Sequence, residues 1–303
     1  MRIIVLGAAA GGGFPQWNSN APGCRRARAG DLAARSRTQA SLAVSANDRD
    51  WFLLNASPDL RAQIEATPAL QPRDGLRSSP IAGVVLTGGD VDAIAGLLNL
   101  RERHCFTIYA AAPVLAVLAE NPIFNVLSAG CVTRTELPLD RPPALSSSGL
   151  AVEAYAVPGK PPLYQEGKGF DPAPRENGEA VGLALTETAT GKSFHFIPGC
   201  ALVNDRLRRR LEGAELVFFD GTLWHDDEMI RIGVGEKTGR RMGHISMSGP
   251  DGAIAAFAGL GVRRRVFIHI NNTNPVLLDD TPEHREAEAA GWEIAWDGME
   301  LRL

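Results

Sequence analysis

What the chain has little of narrows it first. Only four of its 303 residues are cysteine (Cys24, Cys105, Cys131, Cys200), and none forms a C-x-x-C pair. That argues against a disulfide framework and fits reduced thiols in the cytoplasm. No apolar run approaches the roughly 18 residues that span a bilayer, so no membrane partner is expected. The start, MRIIVLGAAAGGG, is apolar only from Ile3 to Leu6 before glycine intervenes. It reads as a buried first strand feeding a glycine loop, not as a secretion signal. Strong charge bias is missing as well. The net charge is −4, and the basic runs at Arg25, Arg26, Arg28 and at Arg208 to Arg210 are short, so nucleic acid is not an expected partner. A G-x-S-x-G elbow is absent, against a Ser-His-Asp hydrolase. The loop GAAAGGGFPQWN lacks G-x-G-x-x-G spacing, and Phe14-Pro15 would break the helix a dinucleotide site needs. Its glycines suit close backbone approach to a substrate or a packed sheet.

What is present is an ordinary globular composition, 45% hydrophobic and 22% charged. Strand-like segments recur: RIIVLG, ASLAVSA, DWFLLNA, IAGVVLTG, FTIYA, LAVEAYAV, VGLALTET, KSFHFIPG, LVFFDGT, RRVFIHI and EIAWDG. Helical patterns interleave: SPDLRAQIEA, DAIAGLLNLRER, APVLAVLAENP, CALVNDRLRRRLEGA and GPDGAIAAFAGLG. The alternation predicts a layered α/β fold with helices outside sheets, in one domain spanning 1–303. Two stretches read as loops, RPPALSSSG (141–149) and GKPPLYQEGKGFDPAPRENGEA (159–180). The second is long enough to be a lid or a surface excursion.

Chemistry collects at strand ends. His269 closes RRVFIHI and is followed by NNTNP, which suits either a fixed ligand or acid/base group or a core histidine on a carbonyl. Asp220 ends LVFFD, and a carboxylate there needs a metal, a cation or backbone donors. Asp92 follows IAGVVLTGG in the same way. His244, in MGHISMSG, lines the same pocket or caps the next helix. His225, in LWHDDE, is a candidate outer partner, and His104, His195 and His284 read as structural or surface residues.

Together GAAAGGGFPQWN, RTQASLAVS, FLLNASPDLRAQI, VPGK, FIPGC, FFDGT, KTGRRMGHISM and VFIHINNTNP resemble the PqqB family of pyrroloquinoline quinone (PQQ) biosynthesis, over nearly the whole chain. The resemblance implies a metallo-β-lactamase fold, a four-layer αββα sandwich with metal between the strand ends of two sheets. The usual T-H-x-H-x-D-H motif falls on Thr87 to Ala93, with Gly88 and Asp90 at the first two histidine positions and Lys160 at a downstream one. One metal position is thus dismantled. The other is normally built from Asp92, a histidine at position 93 and His269, with Asp220 nearby. A carboxylate with two imidazoles suits Fe(II) that activates oxygen. The resemblance further implies O2-dependent hydroxylation of the tyrosine ring of a Glu-Tyr dipeptide cut from a peptide precursor. His244 and Lys160 are the candidate catalytic groups, Arg240 and Asn272 the candidate substrate contacts, and homodimerisation is open.

Two positions depart from the family. Residue 93 is Ala93, which removes a ligand and implies impaired metal binding and activity. Cysteines common in the family at positions 19, 21 and 24 are Ser19, Ala21 and Cys24, so no structural zinc is expected at Cys24. A second reading is a non-catalytic carrier of PQQ or its precursor. A third, metal-dependent hydrolysis, is disfavoured by Gly88, Asp90, Ala93 and Lys160. On the ligand-loss reading, Ala93→His raises iron content and hydroxylation, and equal values in the two proteins would refute it.

Overall fold

The computed structural model describes residues 1–141, 144–145, 148–167 and 173–303, so both expected loops lie partly outside the described residues. The strands are β1 (Arg2–Gly7), β2 (Ser41–Ser45), β3 (Trp51–Leu54), β4 (Ile81–Val85), β5 (Phe106–Ala110), β6 (Val132–Glu136) and β7 (Ala144–Leu145). The second half adds β8 (Leu150–Ala156), β9 (Val181–Glu187), β10 (Ser193–Ile197), β11 (Leu216–Asp220), β12 (Arg264–Ile268), β13 (Trp292–Ile294) and β14 (Glu300–Arg302). They form two seven-stranded sheets, ordered β14-β1-β2-β3-β4-β5-β6 and β13-β12-β11-β10-β9-β8-β7. In the first sheet β3 to β6 run parallel, and in the second β10 to β13 do.

The strands read as continuous apolar runs because both faces of each sheet are covered. Successive side chains point to opposite faces, so one strand feeds two cores. Ile3 and Val5 of β1 join Leu42, Phe52, Phe196, Phe218 and Ile268 between the sheets. Ile4 and Leu6 face outward, against Leu60, Leu97 and Leu118 of the flanking helices. In the second sheet Phe218 and Val266 point inward, while Phe219 and Phe267 pack outward with Leu207, Phe257 and Trp292. Trp292 stacks on Phe267 with centroids 3.8 Å apart and meets the edge of Phe257 at 4.9 Å. This is the four-layer αββα sandwich. Among the described residues no helix is long and apolar enough to cross a membrane.

Several elements are shorter than the sequence pattern suggests. The expected helix DAIAGLLNLRER is one α-turn, Val91–Ile94, followed by a 3-10 stretch, Ala95–Leu100. The cause is that Gly96 donates its N–H to the Ala56 carbonyl (2.8 Å) beyond the end of β3, instead of to its own helix. The helix expected from Cys200 begins only at Asp205, where the Asn204 side chain accepts from Leu207 N at 2.9 Å. GPDGAIAAFAGLG yields only Ala253–Ala256. The strands β6, β7 and β14 are additional to the expected set. β6 sits at a sheet edge, where its polar VTRTE pattern hides it.

The contact at Gly96 leaves no room for a side chain, since an added Cβ would fall on the Ser57 carbonyl oxygen and the Ala56 backbone. Gly96→Ala is therefore expected to lower the unfolding free energy by at least about 2 kcal/mol, measured as a lower urea midpoint. It should also displace the turn that carries Asp92.

Candidate metal centre

The carboxyl ends of the parallel strands of both sheets open on one cavity of about 670 Å³. Ligands of open α/β sheets bind at such ends. The first sheet supplies the turn after β4. There Asn55, held at φ 64°, accepts from Thr87 N through Oδ1 and donates from Nδ2 to Thr87 Oγ1, both at 2.9 Å. The second sheet supplies Asp220 at the end of β11 and His269 just past β12. His269 is not the last strand residue; its backbone turns to φ 60°. Strain of this kind in a non-glycine residue persists where the surroundings fix it.

Asp220 is fully buried. It accepts from Cys200 N (2.9 Å), Thr222 N (3.0 Å) and Thr222 Oγ1 (2.7 Å), and Oδ2 lies 2.8 Å from His244 Nδ1. Those donors offset the cost of burying the carboxylate. The Thr222 hydroxyl is the hub of the group, 3.0 Å from His244 Nδ1 and 2.9 Å from His269 Nδ1. The two imidazoles stack with centroids 5.1 Å apart. From the other sheet, Asp92 Oδ2 meets His269 Nε2 at 2.7 Å.

This pairing sets the charges. Burial alone would raise the Asp92 carboxyl, but the hydrogen bond and charge of His269, with the charge of His244, hold it below its ordinary value. Burial would lower the His269 imidazole, and Asp92, then Asp220 and Asp90, raise it above its ordinary value instead. Asp90 is pushed up by lost hydration and by the Asp92 charge, against the pull of Lys160.

Asp220, His244 and His269 offer ligand atoms within 4.8 Å of one another. One carboxylate and two imidazoles is a donor set that suits a divalent transition metal. The resemblance places that metal on Asp92, position 93 and His269; the structure groups Asp220, His244 and His269, with Asp92 bonded to His269. Ala93 lines the cavity and packs its methyl group into the outer core of the first sheet. Lys160 is on the cavity wall, its Nζ 3.1 Å from Glu166 Oε1. Two expected substrate contacts lie outside the lining. Arg240 is 59% exposed and faces Asp251 at 3.8 Å. Asn272 donates to Gln16 Oε1 at 2.6 Å, and its neighbour Asn271 lines the cavity instead. His244 does not cap the next helix, whose N-cap is Gly252. His225 is exposed and pairs with Ser248. His195 bonds Tyr155 and His284 bonds the Val276 carbonyl, as structural histidines do. Buried Cys24 has Asn272 Oδ1 at 3.6 Å. Thr222 was legible only as part of FFDGT, and Glu166 carried no sequence signal beyond its place in the long loop.

The fold and the strand-end site define a protein of the β-lactamase superfamily, whose domain model matches residues 50–270. Within it, the chain belongs to the family of coenzyme PQQ synthesis protein B. It is 62% identical to that protein of Gluconacetobacter diazotrophicus, over 99% of this chain and 98% of the relative. It is 53% identical to the one of Bradyrhizobium diazoefficiens, over the full length of both. A crystal structure of zinc-bound PqqB from Methylobacterium extorquens superposes with a TM-score of 0.97 at 49% identity, covering 100% of each chain. A diphosphatase of the PhnP family shares the fold at 17% identity and TM-score 0.69, over 100% of this chain and 97% of that one.

Metal affinity should follow the His269 proton. The imidazole must be neutral to ligate, and its pKa is raised by Asp92. Between the ordinary imidazole value and that raised value, a metal displaces a proton. Affinity is therefore expected to climb with pH across this window, by about tenfold per pH unit for one proton. Asp92→Asn should move the climb to lower pH, as read by zinc titration against a chelator.

Proposed function

We propose that the chain carries out the hydroxylation step of PQQ biosynthesis, using Fe(II) and O2 on the tyrosine ring of a Glu-Tyr dipeptide. The observation that carries this reading is the group of buried Asp220 with half-buried His244 and His269, one carboxylate and two imidazoles, the two histidines lining the cavity. Family membership supplies the pathway. When bound, iron supplies open coordination positions at which O2 is activated. The volume, about 670 Å³, falls in the range for small-molecule sites.

The residues divide the work. Asp220, His244 and His269 would hold the metal, and Thr222 fixes the orientation of both rings through one hydroxyl. Asp92 holds the proton of His269 in the metal-free state and remains beside it as a further carboxylate. Lys160 and Lys237 bring positive charge to the wall, where the carboxylates of a dipeptide are attracted. Ala10, Ala93, Val181 and Met242 give the ring an apolar lining. The carrier reading draws on the same cations, which also suit the acidic quinone.

His244 here takes the part that the resemblance gives to position 93. Turnover of Glu-Tyr by Fe(II)-loaded protein in air should yield a dihydroxyphenyl product. His244→Ala and His269→Ala are expected to lower kcat/KM by more than the roughly 10- to 100-fold typical of outer partners. Ala93→His should change it by less than about tenfold, well under what loss of a ligand predicts. Tight binding of PQQ with no hydroxylated product would favour the carrier.

A further inference from the structure

Beside Lys160 and Lys237 of the cavity wall stands a carboxylate that the proposed reaction does not use. Glu166 has a side chain only 7% exposed, with three cations around it. Oε1 is 3.1 Å from Lys160 Nζ, and Oε2 is 3.1 Å from both Lys237 Nζ and Arg241 Nη2. Lys160 and Lys237 line the cavity, and so does Leu163 of the same segment as Glu166.

We propose that Lys160, Lys237 and Arg241 form a carboxylate-binding subsite, which Glu166 fills in the free protein and from which a ligand carboxylate displaces it. The proposal rests on the reading that this cavity is the substrate site, and it deepens that reading by naming the chemistry recognised: a small molecule bearing at least one carboxylate beside an apolar ring.

Three observations carry it. The first is charge. Lys160, Lys237 and Arg241 converge on one carboxylate, so a ligand carboxylate in its place meets three positively charged donors. The three cations outweigh the cost of burial and hold the Glu166 carboxyl down at about 2. The second is chemical identity. A ligand carboxylate reproduces the contacts of Glu166, so exchange replaces one set of charge-assisted hydrogen bonds by another. The third is that the segment is lightly held. Leu163–Gln165 is a single 3-10 turn, with Leu163 60% and Tyr164 49% exposed. Among the described residues its ties to the turn after β4 are Tyr164 Oη donating to Gly89 O (2.6 Å) and a long Leu163 N to Asp90 Oδ1 contact (3.4 Å). Large apolar side chains at the surface next to an open cavity leave little burial to lose when the segment lifts.

A mere latch predicts something different. If Glu166 only fastened the segment, neutralising it would loosen the wall and weaken every ligand. If it is a placeholder, neutralising it removes a competitor, because apparent affinity scales with the fraction of protein whose site is free.

The test uses the full chain without metal and isophthalate, a benzene dicarboxylate, as the probe, so neither iron nor turnover enters. Isothermal titration should show Glu166→Gln binding isophthalate at least about tenfold more tightly than the unaltered protein. Lys237→Met in the Glu166→Gln background should lose that gain. Hydrogen exchange of residues 163–167 should accelerate on adding isophthalate to the unaltered protein, and this readout decides the matter if Glu166→Gln fails to fold. Equal or weaker binding by Glu166→Gln, no binding by either protein, or unchanged exchange would overturn the proposal. Failure of hydroxylation with the isophthalate results intact would leave the subsite standing and overturn only the hydroxylase reading.

Discussion

The hydrogen bond between Asp92 and His269 joins residues 177 positions apart in the chain and belonging to different sheets. It can form only where the carboxyl ends of β4 and β12 face each other across the sandwich. Much else in the structure keeps them there. The glycine loop after β1 bridges the sheets: Ala9 pairs with Gln39 on one side and Ile270 on the other. Ala10 donates to the Ile270 carbonyl at 2.8 Å, and Gly12 N to Gln39 Oε1 at 3.1 Å. Gly11 brings its backbone close enough that an added Cβ would sit 3.7 Å from Asp92 Oδ2. In this loop Gly7 serves a close approach to the packed sheet, since an added Cβ would fall on the Gln39 carbonyl oxygen, and Gly12 and Gly13 take φ of 91° and 71°. On the other flank, Val181 N donates to Thr87 O at 2.9 Å, tying β9 to the metal turn.

The second constraint is the burial of Asp220. A carboxylate with no solvent exposure is tolerated only when its oxygens are satisfied. Backbone donors from Cys200 and Thr222 do part of this, which leaves the carboxylate fixed in direction before any cation arrives. The Thr222 hydroxyl then couples the carboxylate to both histidines. It cannot donate to all its neighbours at once, so the ring orientations of His244 and His269 are linked through one oxygen. A metal centre supported in this way is pre-oriented by its neighbours, as ligating histidines generally require.

Most of the fold was legible because the sandwich has two covered faces per sheet. Within RIIVLG, LVFFDGT and RRVFIHI, the runs IIVLG, LVFF and VFI are apolar without interruption, and that is the pattern of a strand buried on both sides. Strands with weak patterns were not legible: VTRTE lies at an edge, and β14 contributes three residues with only Leu301 buried. Helix lengths were overread wherever a tertiary hydrogen bond captured a backbone group, as Ala56 captures Gly96. At the site, Asp92, Asp220 and His269 were legible because each follows an apolar strand. His244 was only half legible. It follows Gly243, whose φ is 87°, in a loop after a single 3-10 turn, so no periodicity announces where its ring points. Glu166 was illegible for a stronger reason. Two of its three partners, Lys237 and Arg241, lie 71 and 75 residues further along the chain, and a carboxylate in a polar loop looks solvated until those segments meet.

The turn after β4 holds its shape through backbone hydrogen bonds. Ala93 accepts from Ala56 N at 2.7 Å and donates to Asp90 O at 2.9 Å, so its backbone is held independently of its side chain. Its methyl group packs with Ile94 and Leu97 on one side and faces the cavity on the other. The direction of Asp92 therefore does not depend on what stands at 93. Its carboxylate is aimed by the pinned helix start and received by His269. The small side chain at 93 leaves room in the cavity, which Lys160 and Leu163 also line. The turn acts as a wall that orients one carboxylate towards His269, whose ring stacks on that of His244.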